Sequence, residues 1–234
     1  AYTTLELGGK SPVVVFADAD LDSAANAVVA AIFAATGQSC VAGSRLLVER
    51  SVKDEFLARL KRKAEAIAIG DQQDPAAEMG PLATSRQRER IERIVAESLA
   101  RGGRLVTGGA RPQGKADGFY YAPTIIEASD QNLACVREEL FGPVLSALAF
   151  DTEAEALSLA NDTPFGLASG VFTSNLAKAH RMARAIHAGV VWINTYRAVS
   201  PLVPFGGYGL SGLGREGGLD AIRDYTRSKS VWIR

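Results

Sequence analysis

Cys40 is the residue whose surroundings most favour chemistry. It lies in the segment Gly37-Gln38-Ser39-Cys40-Val41-Ala42-Gly43, where a predicted helix breaks at glycine. An ordinary thiol has a pKa of about 8.5, so only a small fraction is the nucleophilic thiolate at neutral pH. A catalytic cysteine therefore needs a neighbouring base or helix-end amides. The sequence leaves two interpretations of Cys40 open, a nucleophile and a small buried residue.

Glu6 is the candidate general base. It stands between Leu5 and Leu7, and partial burial of a carboxylate raises its pKa toward the range that suits a general base. The alternative is that Glu6 simply faces the side of a strand opposite its leucines.

The remaining cysteine and the histidines have weaker surroundings. Cys135 has no glycine-rich frame and is predicted to be a buried structural thiol. His180 and His187 lie among lysines and arginines on one predicted helix and are predicted to be surface residues. Because no cysteine or histidine has the close pairing of zinc sites, no metal site is predicted.

Two glycine-rich segments fit the dinucleotide fingerprint G-x-G-x-x-G, one starting at Gly207 and one at Gly212. That fingerprint requires a strand directly before it and a βαβ unit around it. Here Pro204 and Phe205 precede the first segment, and only a short tail follows the second. Both are interpreted as glycine-rich turns.

The composition excludes several classes of protein. The chain has 234 residues, of which 47% are hydrophobic and 22% charged, which argues against a disordered, collagen-like or coiled-coil chain. Its 26 basic residues balance 26 acidic ones, so there is no general electrostatic case for nucleic acid or anionic membrane as a partner. Two cysteines exclude a disulfide framework and favour a reducing, cytoplasmic setting. No apolar run is long enough to span a membrane.

Helical and strand periodicities alternate along the chain, which predicts an α/β protein with a parallel, open twisted sheet flanked by helices. The predicted strands are 13–16, 45–48, 105–107, 120–126, 144–150, 169–173 and 190–193, and the predicted helices 21–35, 52–69, 85–100, 152–161 and 175–187. The pattern fails over 194–218, a long loop of the kind that is usually functional. Residues 228–233 alternate like a strand that has nothing after it to pair with.

Four segments, taken together and in this order, resemble the NAD(P)-dependent aldehyde dehydrogenase family. They are Leu5-Glu6-Leu7-Gly8-Gly9-Lys10, Gly37-Gln38-Ser39-Cys40, Glu138-Glu139-Leu140-Phe141-Gly142-Pro143, and Pro204-Phe205-Gly206-Gly207 followed by Ser211-Gly212-Leu213-Gly214-Arg215-Glu216. Each segment alone is a weak signal, whereas the set in this order and spacing is specific. The resemblance extends over essentially the whole chain.

The resemblance implies a mechanism. Cys40 attacks an aldehyde to give a thiohemiacetal, hydride transfer to NAD or NADP leaves a thioester, and Glu6 activates the water that hydrolyses it. Oxyanion stabilisation is expected from the Cys40 backbone N–H and from an asparagine that the family carries in its N-terminal half. It also implies cofactor contacts for Glu139, Phe141 and Leu7, and substrate contacts for Ser39, Val41, Val199 and Phe205.

Family members are longer, with a dinucleotide-binding domain before the position where this chain begins. The resemblance thus divides the chain into the end of that domain (1–8), a catalytic domain (9–222) and a C-terminal oligomerisation strand (223–234). We expect the chain to be the catalytic part of a longer enzyme that forms a homo-oligomer, dimer or tetramer, and to be inactive alone. The identity of the aldehyde and the choice between NAD and NADP stay open.

Three alternatives stay open at the level of sequence. A CoA-acylating relative would pass the thioester to CoA, although Glu6 favours water. A cofactor-free thiol hydrolase would use Cys40 with His180 or His187 as its base. A non-catalytic assembly module would keep the domain only for oligomerisation. Arg197, in the loop, is a candidate for pairing with a distal carboxylate of the substrate.

Overall fold

A computed structural model describes residues 3–115 and 117–234 of the chain. The strands are β1 (Leu5–Glu6), β2 (Pro12–Val15), β3 (Arg45–Glu49), β4 (Arg104–Thr107), β5 (Thr124–Glu127), β6 (Val144–Phe150), β7 (Phe165–Gly166), β8 (Ala168–Phe172), β9 (Val190–Ile193), β10 (Tyr208–Gly209) and β11 (Gly212–Leu213). The α-helices are α1 (Leu21–Phe33), α2 (Lys53–Glu65), α3 (Ser85–Ala100), α4 (Ala134–Arg137), α5 (Glu153–Asn161) and α6 (Leu176–Ala185), with 3₁₀ turns at Ala34–Gly37, Arg50–Val52 and Leu219–Tyr225.

Seven strands form the central sheet in the order β4-β5-β6-β3-β2-β8-β9. All neighbours are parallel except β4 and β5, which are antiparallel. The predicted α/β fold with a flanked parallel sheet is confirmed, with one correction at the β4 edge. Two neighbouring strands can be parallel only if a crossover connection, usually a helix, joins them. The described residues between β4 and β5 contain no helix, so the chain turns back and β5 pairs antiparallel with β4.

Helices cover both faces of this sheet. Alternate residues of β2 divide between two cores: Val13 and Val15 pack with the helices α1 and α2, and Val14 packs on the other face with residues of α3, α4, α5 and α6. This alternation is what a strand buried on both faces requires.

The helix predictions differ from the structure mainly at their ends. The bounds of α3 are those predicted, and Thr84 caps its N-terminus by accepting from the Gln87 N–H. The helix α1 ends at Phe33, because Ala35 and Thr36 take positive φ angles of 53° and 57°. That break ends α1 a few residues before Cys40, as the glycine in this segment predicted.

Arg45, at the start of β3, is buried with 1% of its surface exposed. Its guanidinium donates to the carbonyl oxygens of Lys10, Leu159 and Ala160 at 2.9, 2.9 and 2.8 Å. The last two carbonyls lie in the final turn of α5, where helices leave acceptors unsatisfied. Arg45 thereby joins α5 to the segment that carries Glu6 and Lys10.

The C-terminal tail is exposed, and residues 226–234 form no strand with the described part of the chain. The predicted strand at 228–233 therefore pairs with no strand in the described part of the chain, and its role in oligomerisation stays a prediction. None of the described helices combines the length and apolar character needed to cross a bilayer.

Candidate active site

A tight turn after α1 positions Cys40. Thr36 donates its hydroxyl to the Gly80 carbonyl at 3.1 Å, and the Gln38 side chain accepts from the Ala83 N–H at 2.9 Å. On the other side of the turn, the Tyr196 hydroxyl donates to the Val41 carbonyl at 2.9 Å. The turn is therefore fixed from two directions by elements distant in sequence.

Gly37 brings this turn against a second functional segment. Its φ is +68°, and a Cβ at this position would lie 2.1 Å from the Gly142 carbonyl oxygen. Only glycine combines that conformation with such a close approach. The Cys40 turn and the segment containing Glu139 and Phe141 thus pack as one unit.

Glu6 reaches the site from β1, which pairs antiparallel with β11 so that Glu6 faces Gly212. Both of its carboxylate oxygens are buried and accept no hydrogen bond from the described residues. Burial raises the Glu6 pKa, the nearby Glu216 carboxylate raises it further, and Arg215 partly offsets both. This agrees with a desolvated carboxylate. Leu5 and Leu7 are exposed, at 38% and 46%, so Glu6 also lies on the side of the strand opposite its leucines, and that side is the more buried one.

Cys40 is half-buried and lies within range of the charges of both Glu6 and Glu139. Burial raises its thiol pKa above the usual value, the Val41 amide opposes this, and the two carboxylates add to the increase. The resting thiol therefore keeps its proton at neutral pH. The backbone amides of Cys40 and Val41 lower the thiol pKa, as expected for an activated cysteine, but the effect of burial on the pKa is larger.

Glu139 turns inward, unlike its exposed neighbour Glu138. It accepts from the Gly9 N–H at 3.1 Å, and its carboxylate packs so close to Gly8 that a Cβ there would lie 1.8 Å from Oε2. Arg90 fixes the backbone by donating to the Glu139 carbonyl at 2.8 Å. Burial raises the pKa of Glu139, while the Gly9 amide lowers it. Of this acidic pair, Glu138 is therefore the solvent-exposed member and Glu139 the one held in the site.

Phe141 lies beside Glu139 on an open cleft lined by polar residues of α3. Its φ is 51°, its ring is 40% exposed, and its carbonyl accepts from the Gln87 side chain at 3.2 Å. A carboxylate that can accept from ribose hydroxyls and an exposed aromatic ring fit the nicotinamide end of a dinucleotide. Leu7 is 46% exposed and bonds through its backbone N–H to the Ser211 carbonyl.

The predicted substrate residues fall into two groups. Val41 and Phe205 belong with Cys40 to one apolar cluster around Trp192. Val199 and Phe205 line a neighbouring pocket of about 400 Å³ whose walls are mainly valine, alanine and proline. Ser39 is half-buried beside Cys40 in the turn. Phe205, together with Val190, thus connects the pocket to the cluster that contains the nucleophile.

Arg197 and the two histidines are not brought to this site within the described residues. The Arg197 guanidinium donates to the carbonyls of Ala30 and Ala34 at 3.3 and 3.5 Å at the end of α1, so the carboxylate-pairing hypothesis has no support. His180 and His187 are exposed, line different cavities, and are not among the groups that affect the Cys40 pKa. Cys135 is fully buried, as predicted.

The structure places Glu216, Tyr196 and Lys10 around these groups, although the sequence alone predicts no role for any of them. Glu216 lies in the last glycine-rich motif, and its distance from Glu6 along the chain hides the proximity of the two carboxylates. The described residues contain no cluster of three or more histidine, cysteine, aspartate or glutamate side chains that could hold a metal ion.

Solved structures with this fold are close matches. A putative aldehyde dehydrogenase from Burkholderia cenocepacia has a TM-score of 0.96 and 47% identity, covering 98% of this chain and 47% of that one. The NAD+ complex of betaine aldehyde dehydrogenase from Staphylococcus aureus has a TM-score of 0.92 and 40% identity, covering 95% of this chain and 44% of that one.

Curated relatives agree with the structural matches. The (Z)-2-((N-methylformamido)methylene)-5-hydroxybutyrolactone dehydrogenase of Acinetobacter baylyi is 60% identical over 235 residues, covering 100% of this chain and 48% of the relative. Betaine aldehyde dehydrogenase of Sinorhizobium fredii is 46% identical, covering 99% of this chain and 48% of the relative. The chain spans about half the length of the curated relatives it matches. The model of the aldehyde dehydrogenase family matches residues 1–231, and the chain therefore belongs to that family.

Proposed function

We propose that this chain carries the catalytic residues of an enzyme that oxidises an aldehyde to a carboxylic acid with NAD+ or NADP+. The observation that carries this proposal is the proximity of the half-buried Cys40 thiol to Glu6, whose carboxylate oxygens are buried and accept no hydrogen bond from the described residues. That pair provides a nucleophile and a base in a partly desolvated site, which is what covalent acyl chemistry requires.

In the first step the Cys40 sulfur bonds to the aldehyde carbon, giving a thiohemiacetal. Because burial and nearby carboxylates raise the thiol pKa, Cys40 must lose its proton to a base as it attacks. Solvent takes this proton, so the Glu6 carboxylate stays ionised and available as the base for hydrolysis. The backbone N–H of Cys40 is proposed to stabilise the developing oxyanion.

The cofactor site involves Glu139, Phe141 and Leu7. The Gly9 amide and Arg90 hold Glu139, which is proposed to accept hydrogen bonds from the nicotinamide ribose beside the Phe141 ring. When bound, the nicotinamide provides the hydride acceptor that converts the thiohemiacetal on Cys40 to a thioester.

In the last step Glu6 takes a proton from water as the water oxygen attacks the thioester carbon. The C–S bond breaks, the acid leaves and the Cys40 thiol regains a proton. The apolar pocket that includes Val199 and Phe205 is proposed to hold the substrate side chain, with Ser39 and Val41 next to the reacting carbon. We also propose that residues 1–234 alone do not turn over and that the working enzyme is a homo-oligomer.

The alternatives gain less support from the site. A thiol hydrolase needs a base near Cys40, and within the described part of the chain the groups affecting its pKa are carboxylates and amides, not His180 or His187. A CoA-acylating enzyme would not need a desolvated carboxylate to activate water. An assembly module would not need Glu139 to be held against Gly8 and Gly9.

The test is stoichiometry in the full-length natural polypeptide. We expect one NAD(P)H and one carboxylic acid per aldehyde consumed, without CoA, measured by absorbance and by chromatography of the products. The aldehydes include betaine aldehyde and the aldehyde acid that is the ring-opened form of a 5-hydroxybutyrolactone, after the names of two relatives. A CoA requirement, acid formation without NAD(P)H, or no consumption of any aldehyde would contradict the proposal.

Gly8→Ala tests the role of Glu139. The added methyl would lie 1.8 Å from the Glu139 Oε2 position, so the carboxylate must move, and we expect KM for the cofactor to rise about tenfold. The matched control is Gly80→Ala, because no described atom outside Gly80 and its two chain neighbours lies within 4 Å of the added methyl. Equal KM values in the two variants would contradict the assignment of Glu139.

A further inference from the structure

Lys10 is a buried cation without a hydrogen-bonding partner. Only 1% of the residue is exposed, and its ammonium nitrogen makes no hydrogen bond with any described residue. A buried charge is costly unless it is paired. The motif Gly8-Gly9-Lys10 therefore contains a residue that weakens the fold, which calls for a functional explanation.

Glu139 is a carboxylate whose charge acts on this ammonium and favours its protonated form. The peptide segment leading to Lys10 already contacts Glu139, through the Gly9 N–H at 3.1 Å and the close approach at Gly8. The charge of Lys10 favours the ionised form of Glu139. A charge in a low-dielectric interior acts over distances longer than a hydrogen bond.

We infer that Lys10 is a positioning residue whose buried ammonium keeps Glu139 ionised and held against Gly8 and Gly9, and thereby sets the affinity for the cofactor. Lys10 itself touches neither substrate nor cofactor. The inference rests on the proposed role of Glu139 in holding the nicotinamide ribose.

The surroundings of Lys10 make this effect dependent on pH. Burial lowers its pKa to about 7, with Arg45 and Arg90 acting in the same direction and Cys135 and Glu139 opposing it. His187 lines the same small cavity. The ammonium is therefore present below about pH 7 and lost above it. We expect KM for the cofactor to be low at pH 6 and to rise severalfold by pH 8.5, because the neutral amine no longer attracts the Glu139 carboxylate and holds it in place.

The charge of Lys10 lowers the stability of the fold, whereas it favours binding of the cofactor. Because the folded-state pKa lies below that of an unfolded lysine, folding is penalised most below about pH 7, and the penalty fades as pH rises toward about 10.5. Lys10→Met removes the penalty, so we expect its Tm at pH 6 to equal or exceed that of the wild type. A merely structural lysine would give the reverse, a lower Tm and an unchanged KM.

The experiment is a double-mutant cycle in the full-length natural polypeptide, with Lys10→Met, Glu139→Gln and both together. We expect Lys10→Met alone to raise KM for the cofactor about tenfold at pH 6, and to raise it less than twofold when Glu139 is already glutamine. Lys10→Met should also abolish the rise of KM with pH. Lys178→Met, a change at a lysine that packs on Phe16, is the matched control.

The outcomes distinguish an error in the proposed role of Glu139 from an error in the inference about Lys10. If Glu139→Gln leaves KM unchanged, the proposed role of Glu139 is wrong. If Glu139→Gln raises KM but Lys10→Met does not, or raises it equally in both backgrounds, the inference about Lys10 is wrong. A Lys10→Met protein that fails to fold, or a flat wild-type KM profile between pH 6 and 8.5, would also overturn the inference.

Discussion

Cys40→Ala is expected to lower kcat for aldehyde oxidation by at least about 10³-fold, because no thiohemiacetal or thioester can form without the thiol. The turn that holds Cys40 is fixed by Thr36, Gln38 and Tyr196, so the fold should survive the change. The measurement is steady-state NAD(P)H formation in the full-length polypeptide, with circular dichroism to verify folding.

Cys135→Ala is the matched control for this loss. Cys135 is fully buried in the core on the sheet face that α3, α4, α5 and α6 cover. Its truncation therefore leaves a small cavity and lowers Tm without changing the chemistry. We expect kcat within about twofold of the wild type. Comparable losses in the two variants would mean that Cys40 acts through packing and not as the nucleophile.

Glu6→Gln is expected to separate the two halves of the reaction. Glutamine has the shape of glutamate but cannot accept a proton, so the thioester on Cys40 should form and then persist. Stopped-flow absorbance should show a burst of about one NAD(P)H per active site, followed by a steady rate at least about 10²-fold below that of the wild type. Normal steady-state turnover would exclude Glu6 as the hydrolytic base.

The raised pKa of Glu6 also predicts how the rate of thioester hydrolysis changes with pH. Burial and Glu216 raise the Glu6 pKa. As pH falls, Glu6 therefore becomes protonated at a higher pH than an ordinary glutamate does, and the hydrolysis rate decreases with the loss of the base. Glu216→Gln, the matched control, removes one cause of the increase and should move this acid limb to lower pH. Glu6→Gln should show no such limb.

Much of the fold follows from local patterns in the sequence. The helix α3 has an N-cap threonine and an apolar stripe through Ile91, Ile94 and Val95, and its bounds are predictable to the residue. The strand predicted at 120–126 starts later, at Thr124, because Pro123 has no N–H for a sheet ladder. The predicted helix 52–69 ends at Glu65, and Ile69 instead bridges to Met79, a contact that periodicity cannot reveal.

The site is predictable in its residue types but not in its contacts. Cys40 and Glu6 stand out in the sequence, and the family resemblance assigns roles to both. The pairing of Glu6 with Gly212 joins residues from opposite ends of the chain through a two-residue strand, which is too short for any periodicity. The burial of Lys10 was equally hidden, because lysine is among the residues least often found in a core.

The most direct test of the account is to locate the covalent intermediate. Full-length Glu6→Gln is mixed with aldehyde and NAD(P)+, quenched in acid during the burst, and analysed by intact mass and peptide mapping. We expect one acyl group per chain, with the mass of the aldehyde less two hydrogens, on the peptide that contains Cys40. A burst of NAD(P)H with an unmodified Cys40 peptide, or an acyl group on another residue, would contradict it.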